Sequence, residues 1–260
     1  LAVGGETDKA VPVASSWALL ELAGHILDDL QDQDNDEAVW SDWPAAKSAL
    51  ISTTLVLAAQ ACLAELAVDA TARSDIARSL SQACMQGAQA QLVSSRATSL
   101  ETYFKHIVAK AGLTIAAVAY AGARTHTDNA ESLQLMYDFG LNLGILMQLN
   151  DDLRDLSTSS VVNDLLSGYY SLPVLQALTQ MDHPHHARLL KLLAAKPLTT
   201  PTVTEIMNIL VDMGAFSFAN AMAHVYQQKA LQCLEPLLPE NVVYLKDFLE
   251  CFLKIESKAV

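Results

Sequence analysis

Basic residues are scarce in this chain. Its 260 residues hold 16 lysines and arginines against 29 aspartates and glutamates, a formal net charge of −13. A surface of that sign repels nucleic acid and an anionic membrane face, so neither is expected as a partner, and any lipid contact would have to be apolar. Cysteines are few and scattered, at positions 62, 84, 233 and 251, with no C-x-x-C pair and no close histidine. With no secretory signal in view, a reducing, cytoplasmic setting is expected. Long apolar runs are missing too. No uncharged stretch exceeds 17 residues, and one of that length, Ser48 to Ala64, carries Ser52, Thr53, Thr54 and Gln60, which is too short and too polar for a membrane span. Alternating β-branched residues are also rare, which argues against strands.

What remains is apolar and helical. Hydrophobic residues make up 52% of the chain, ample for a core, and they recur at three- and four-residue spacing almost throughout. Breakers fall between the runs: Pro44, Gly168 with Pro173, Pro184, Pro197 with Pro201, and Pro236 with Pro239. The spacing predicts helices near 13–34, 44–68, 74–96, 100–124, 129–157, 170–181, 184–195, 202–212, 215–235 and 240–257. No composition break divides the chain and no repeat period runs through it, so one all-α domain over 1–260 is expected, a bundle with a central cavity.

Two clusters of one spacing stand inside the apolar helices: Asp28-Asp29-Leu30-Gln31-Asp32 and Asp151-Asp152-Leu153-Arg154-Asp155, both D-D-x-x-D. Residues i and i+4 share a helix face, so Asp28 projects with Asp32 and Asp151 with Asp155. Carboxylates stacked this way raise each other's pKa unless a cation lies between them. A hard divalent ion such as Mg²⁺, held by a few carboxylates and substrate phosphates, relieves the repulsion. A single cluster reads most simply as a solvated face or a cap. A second copy after another apolar helix turns the balance toward a metal–phosphate site.

The arrangement resembles the trans-polyprenyl diphosphate synthases, the class I isoprenoid synthases, over most of the chain. The first motif follows an apolar helix, Leu22-Ala23-Gly24-His25-Ile26-Leu27. The second fits the family's G-x-x-x-Q-x-x-D-D-x-x-D through Gly144, Gln148, Asp151, Asp152 and Asp155. The run from Tyr103 through Lys110 to Gly112 is similar to the family's helix with a phosphate-binding lysine, and residues 164–173 resemble D-x-x-x-G-K-x-T-L-P. The resemblance implies a Mg²⁺-dependent prenyltransferase, with three ions gathered around the diphosphate of an allylic isoprenyl substrate and isopentenyl diphosphate as the usual acceptor. It makes Asp28, Asp32 and Asp151 direct metal ligands, with Asp29, Asp152 and Asp155 completing the metal site through water or from behind the ligands. Lys110 would contact the diphosphate, Gln148 would face the cavity, and the assembly would be a homodimer.

The departures are all losses of positive charge. No arginine lies between Asp32 and Trp40, where the family has two. Residues 1–27 offer only Lys9, and Tyr169 stands where the G-K-x-T-L-P lysine belongs. Such a chain is expected to hold a second diphosphate poorly. Alternatives therefore stay open: a terpene-synthase-like lyase or cyclase acting on one allylic diphosphate, prenylation of a non-diphosphate acceptor, or a non-catalytic subunit of a heteromeric synthase. Small residues at Ala23 and Gly24 leave no aromatic floor above the first motif, which favours chains of C15 or longer. Among the other conspicuous residues, Arg154 is expected to form an ion pair and His25 to sit in the core or behind the ligands. His183, His185 and His186 are expected to mark a loop and helix start, and Trp17, Trp40 and Trp43 to pack.

Overall fold

The computed structural model describes residues 2–32, 38–92, 99–156, 165, 170–195 and 197–256, and the side chains of all of these except Asp32 and residues 251–256. Among them there are helices and no strands. The helices are α1 (Thr7–Asp32), α2 (Ala45–Ala64), α3 (Ala70–Leu92), α4 (Leu100–Ile107), α5 (Leu113–Arg124) and α6 (Ala130–Asp155). They continue with α7 (Leu172–Thr179), α8 (His186–Leu193), α9 (Thr200–Asp212), α10 (Ala215–Leu234) and α11 (Pro239–Glu256). The all-α expectation holds, and most ends fall within a few residues of the periodicity.

Local chemistry accounts for several of those ends. Ser99 caps α4 with Thr102 in a reciprocal capping box, Asn129 accepts from Ser132 N–H at α6, and Thr199 accepts from Thr202 N–H at α9. Gly214, at φ +69°, makes the left-handed turn that lets α10 leave α9 at 63°. Two details differ from the sequence expectation. Helix α1 begins at Thr7, before Pro12 rather than after it; so near the start, the proline removes one bond, to the Asp8 carbonyl, and the helix runs through. The 100–124 helix is interrupted by a π turn, Val108–Gly112, in which Leu113 N–H donates to Val108 O five residues back.

Helix α6 is the central element. It packs along α5 and α10, while α1 packs along α2 and touches α5. Two glycines one turn apart let α6 and α5 approach closely. A Cβ on Gly140 would lie 2.5 Å from the Ile115 carbonyl oxygen, and one on Gly144 2.5 Å from that of Ala111. One apolar cluster surrounds α6 (Ile107, Phe139, Leu143, Leu146, Leu149), a second joins α7 to α9, and a third joins α1, α3 and α5 through Val13, Ile76, Leu80 and Ala117. By length and composition, 7–31, 45–64 and 100–124 could each cross a membrane, and between a fifth and a third of each such stretch is buried inside the bundle.

Candidate active site

Both acidic motifs end their helices, α1 and α6, at the same end of the bundle, and Lys110 joins them. Its Nζ lies 3.4 Å from Asp28 Oδ2, and its charge also reaches Asp151 and Asp152. The lysine stands in the π turn. The extra residue leaves the Lys110 carbonyl to accept from Thr114 Oγ1 at 2.8 Å. On the α1 wall, Gly24 lies one turn below Asp28, and a Cβ there would meet nothing within 4 Å. Gly24 is exposed, so that space is open to solvent.

The three aspartates of each motif divide by helix face. Asp28 points toward Lys110, and its Oδ1 is shut from solvent with no hydrogen-bond donor. Asp29, a hundred degrees around the helix, instead accepts from Trp40 Nε1 at 2.7 Å through Oδ2. The tryptophan was expected only to pack; it also ties the segment after the motif to the end of α1. Asp32 is the last residue of α1, and its side chain lies outside the described residues. In the second motif, Asp151 is half exposed and pairs with Arg154 at 3.2 Å, the ion pair expected of that arginine. Burial pushes the Asp151 carboxyl up, against the opposing pull of Arg154, His25 and Lys110.

Asp152 is different. It is 5% exposed. Its Oδ2 accepts from Tyr103 Oη at 2.6 Å and its Oδ1 from Gln148 Nε2 at 2.8 Å. Burial pushes its carboxyl up to about 6, despite both donors. Gln148 thus spends its amide on Asp152, and Asp155 sits exposed at the end of α6. The tyrosine partner was not foreseen, although its place two turns before Lys110 on one face was a usable signal. His25 is another correction: it is exposed rather than in the core, with Nε2 3.6 Å from Glu21 Oε1. The 164–173 motif lies largely outside the described residues, which include only Leu165 and Tyr170–Pro173 of it.

Elsewhere, the His183 and His185 rings lie 5.5 Å apart at a tilt of 39°, and His186 bonds the Leu178 carbonyl as α8 begins, a loop-and-cap arrangement. A cavity of about 370 Å³ between α3, α5 and α6, lined by Arg78, Gln82, Tyr120 and Tyr137, includes no motif residue.

The donor set suits a hard cation. The facing groups are carboxylate oxygens, and the buried lone pairs of Asp28 Oδ1 lack a donor that a cation would replace. Among the described residues no three His, Cys, Asp or Glu side chains converge on one point.

Comparison with known proteins agrees with this layout. The polyprenyl synthetase family model matches residues 2–210. The short chain isoprenyl diphosphate synthase of Methanothermobacter thermautotrophicus is 25% identical over 254 residues, covering 91% of this chain and 76% of the relative. The fold matches geranylgeranyl pyrophosphate synthetase from Pyrococcus horikoshii Ot3 with a TM-score of 0.85 at 22% identity, over 96% of this chain and 81% of that one. It also matches a polyprenyl synthase from Caulobacter crescentus CB15, complexed with calcium and isoprenyl diphosphate, with a TM-score of 0.79 at 24% identity, over 95% and 79%. Helices, motif order and family model converge: the chain belongs to the polyprenyl synthetase family, the prenyltransferases that include the isoprenyl diphosphate synthases.

Proposed function

We propose that this protein ionises an allylic isoprenyl diphosphate in a Mg²⁺-dependent reaction and transfers the prenyl group to an acceptor. The observation that carries the reading is Lys110 set between Asp28 and Asp151, with its ammonium 3.4 Å from Asp28 and its charge felt by Asp151. Asp28, Asp32 and Asp151 would hold Mg²⁺, three ions in all with the diphosphate, and Asp29, Asp152 and Asp155 would support them. Bound Mg²⁺ supplies Lewis-acid stabilisation of the charge that develops on the departing diphosphate. Lys110 gives that diphosphate a direct cationic contact. Tyr103 and Gln148 hold Asp152, which fixes the end of α6 and so aims Asp151. The apolar walls of α1, α5 and α6 keep water from the carbocation. A homodimer in the cytoplasm completes the proposal.

Acceptor choice follows from the missing cations. With no arginine between Asp32 and Trp40 and only Lys9 before residue 28, isopentenyl diphosphate would be held weakly. Farnesyl or geranylgeranyl diphosphate with Mg²⁺ should then release diphosphate, with little elongation when isopentenyl diphosphate is added. Product identification by mass spectrometry tests this, and efficient elongation to C20 or longer would show that the second diphosphate is held after all. Independently, Mg²⁺ with inorganic diphosphate should raise the melting temperature clearly and either alone much less, since each completes the other's coordination and binds only the folded state. Asp28→Ala or Asp151→Ala should abolish the rise; a rise kept in both variants would place the metal elsewhere.

A further inference from the structure

The first motif stands where a helix is hard to hold. Residues 28–32, which end α1, include three aspartates, and the last turn carries no basic residue. The final carbonyls of a helix lack intrahelical partners, and its C-terminal end carries partial negative charge. Anionic side chains there, two of them one turn apart, favour fraying. Yet Asp28 and Asp32 share a face only while that turn stays helical. A contact from outside the helix opposes the fraying. Trp40 Nε1 donates to Asp29 Oδ2 at 2.7 Å, across 11 residues of sequence. An indole N–H can only donate, and a carboxylate acceptor makes the bond a strong one.

The indole is itself braced. Ser41 N–H donates to the Ala38 carbonyl and Trp43 N–H to that of Trp40, two successive turns that lead through Pro44 into α2. Helix α2 packs along α1, so the tryptophan is carried by the helix pair that it joins. Beside the bonded pair lies a cavity of about 180 Å³, lined by Ile26, Leu30, Trp43 and Ser48. Without the indole N–H, the Asp29 carboxylate has room to turn from its present place. The second motif is held in the same manner, with Tyr103 Oη donating to Asp152 Oδ2 at 2.6 Å. In both motifs the second aspartate takes a distant aromatic donor.

Resting on the functional reading above, we infer that Trp40 is a positioning residue for the metal site, acting through Asp29 to hold the last turn of α1 in the form that binds Mg²⁺ with diphosphate. The bond keeps Asp28 and Asp32 in helical register. It also keeps Asp29 turned toward Trp40, where it does not compete with Asp28 for the ion. The turn is ordered before the ion arrives, so ion binding need not order it.

The test follows the melting temperature against Mg²⁺ concentration at a fixed excess of inorganic diphosphate. Trp40→Phe keeps an aromatic ring and removes the N–H. It should raise the Mg²⁺ concentration for half the melting-temperature rise by between about 10- and 100-fold, the usual effect of removing a hydrogen-bond partner at a metal site. With farnesyl diphosphate as substrate, the Mg²⁺ needed for half-maximal rate should rise likewise, while kcat at saturating Mg²⁺ stays within a few-fold. Asp29→Ala removes the acceptor instead and should give a shift at least as large. Adding Trp40→Phe to Asp29→Ala should then shift the requirement no further, because the two act through one bond. A packing role for the indole would add a second shift. Metal-free melting curves check that each variant folds. An unchanged Mg²⁺ requirement in Trp40→Phe overturns the inference, and so does a second shift in the double variant. A wild-type protein that gains no stability from Mg²⁺ with diphosphate overturns the functional reading itself and this inference with it.

Discussion

At the scale of single residues, the second motif shows that neighbours in sequence can have opposite tasks. Asp151 faces the open site, whereas Asp152, one position on, is sealed between Tyr103 and Gln148 with its carboxyl pushed up to about 6. The sign of the stability effect follows. Below about pH 4 both the folded and the unfolded chain carry the proton, and the buried group costs nothing. Between about pH 4 and 6 the unfolded chain ionises first, so stability falls as pH rises, and above about pH 6 the full cost, on the order of 3 kcal/mol, is present. Metal-free Asp152→Asn should therefore be more heat-stable than wild type at pH 7.5, with the difference vanishing near pH 4. Melting curves in a chelator across that range check it; a variant less stable at pH 7.5 would show that the carboxylate's two hydrogen bonds outweigh its burial. None of this could be read from D-D-x-x-D itself. The spacing says that Asp28 and Asp32 share a face, but not that Asp29 turns to Trp40 or that Asp152 turns to Tyr103, because those partners come from 11 and 49 residues away.

At the scale of elements, the π turn and the two glycines of α6 form one device. Gly144 has no Cβ, so the carbonyl of Ala111, inside the π turn, can lie against α6. That contact sets the depth at which Lys110 meets Asp28 and the second motif. Gly144→Ala would force the turn outward, since the added carbon would meet a backbone oxygen at 2.5 Å rather than a movable side chain. Overpacking of this kind costs about 1–3 kcal/mol. The variant should melt several degrees lower and lose activity out of proportion to its folded fraction, as Lys110 shifts. Differential scanning calorimetry with activity per folded molecule measures both; wild-type values would mean the turn relaxes freely. The helix itself was legible from its apolar period. The π turn was not, because one extra residue in a run of alanines and valines leaves that period nearly unchanged.

At the scale of the whole molecule, α2 raises the question of assembly. It packs on α1 along one side, while Leu50 (70% exposed) and Leu57 (66% exposed) stand on the other. Apolar area of that kind on a surface helix is commonly covered by another chain, and the proposed homodimer would cover it through a twofold axis that brings the same face to itself. Leu57→Glu should then convert the protein to monomer at micromolar concentration, read by sedimentation velocity against a dimeric wild type. A monomeric wild type would remove the proposal.

The sequence by itself determined the helical class, most helix ends and the existence of two carboxylate pairs. These follow from local rules: apolar spacing, breakers and caps act within a few residues, and i, i+4 projection follows from helix geometry alone. Only the tertiary structure decided what each carboxylate does. The approach of α1, the π turn and α6 brings Lys110 to 3.4 Å from Asp28, with its charge reaching Asp151, and buries Asp152 with Tyr103. Those are contacts between distant segments, and their geometry depends on how closely the helices pack, which at Gly140 and Gly144 is decided by the absence of a single carbon atom.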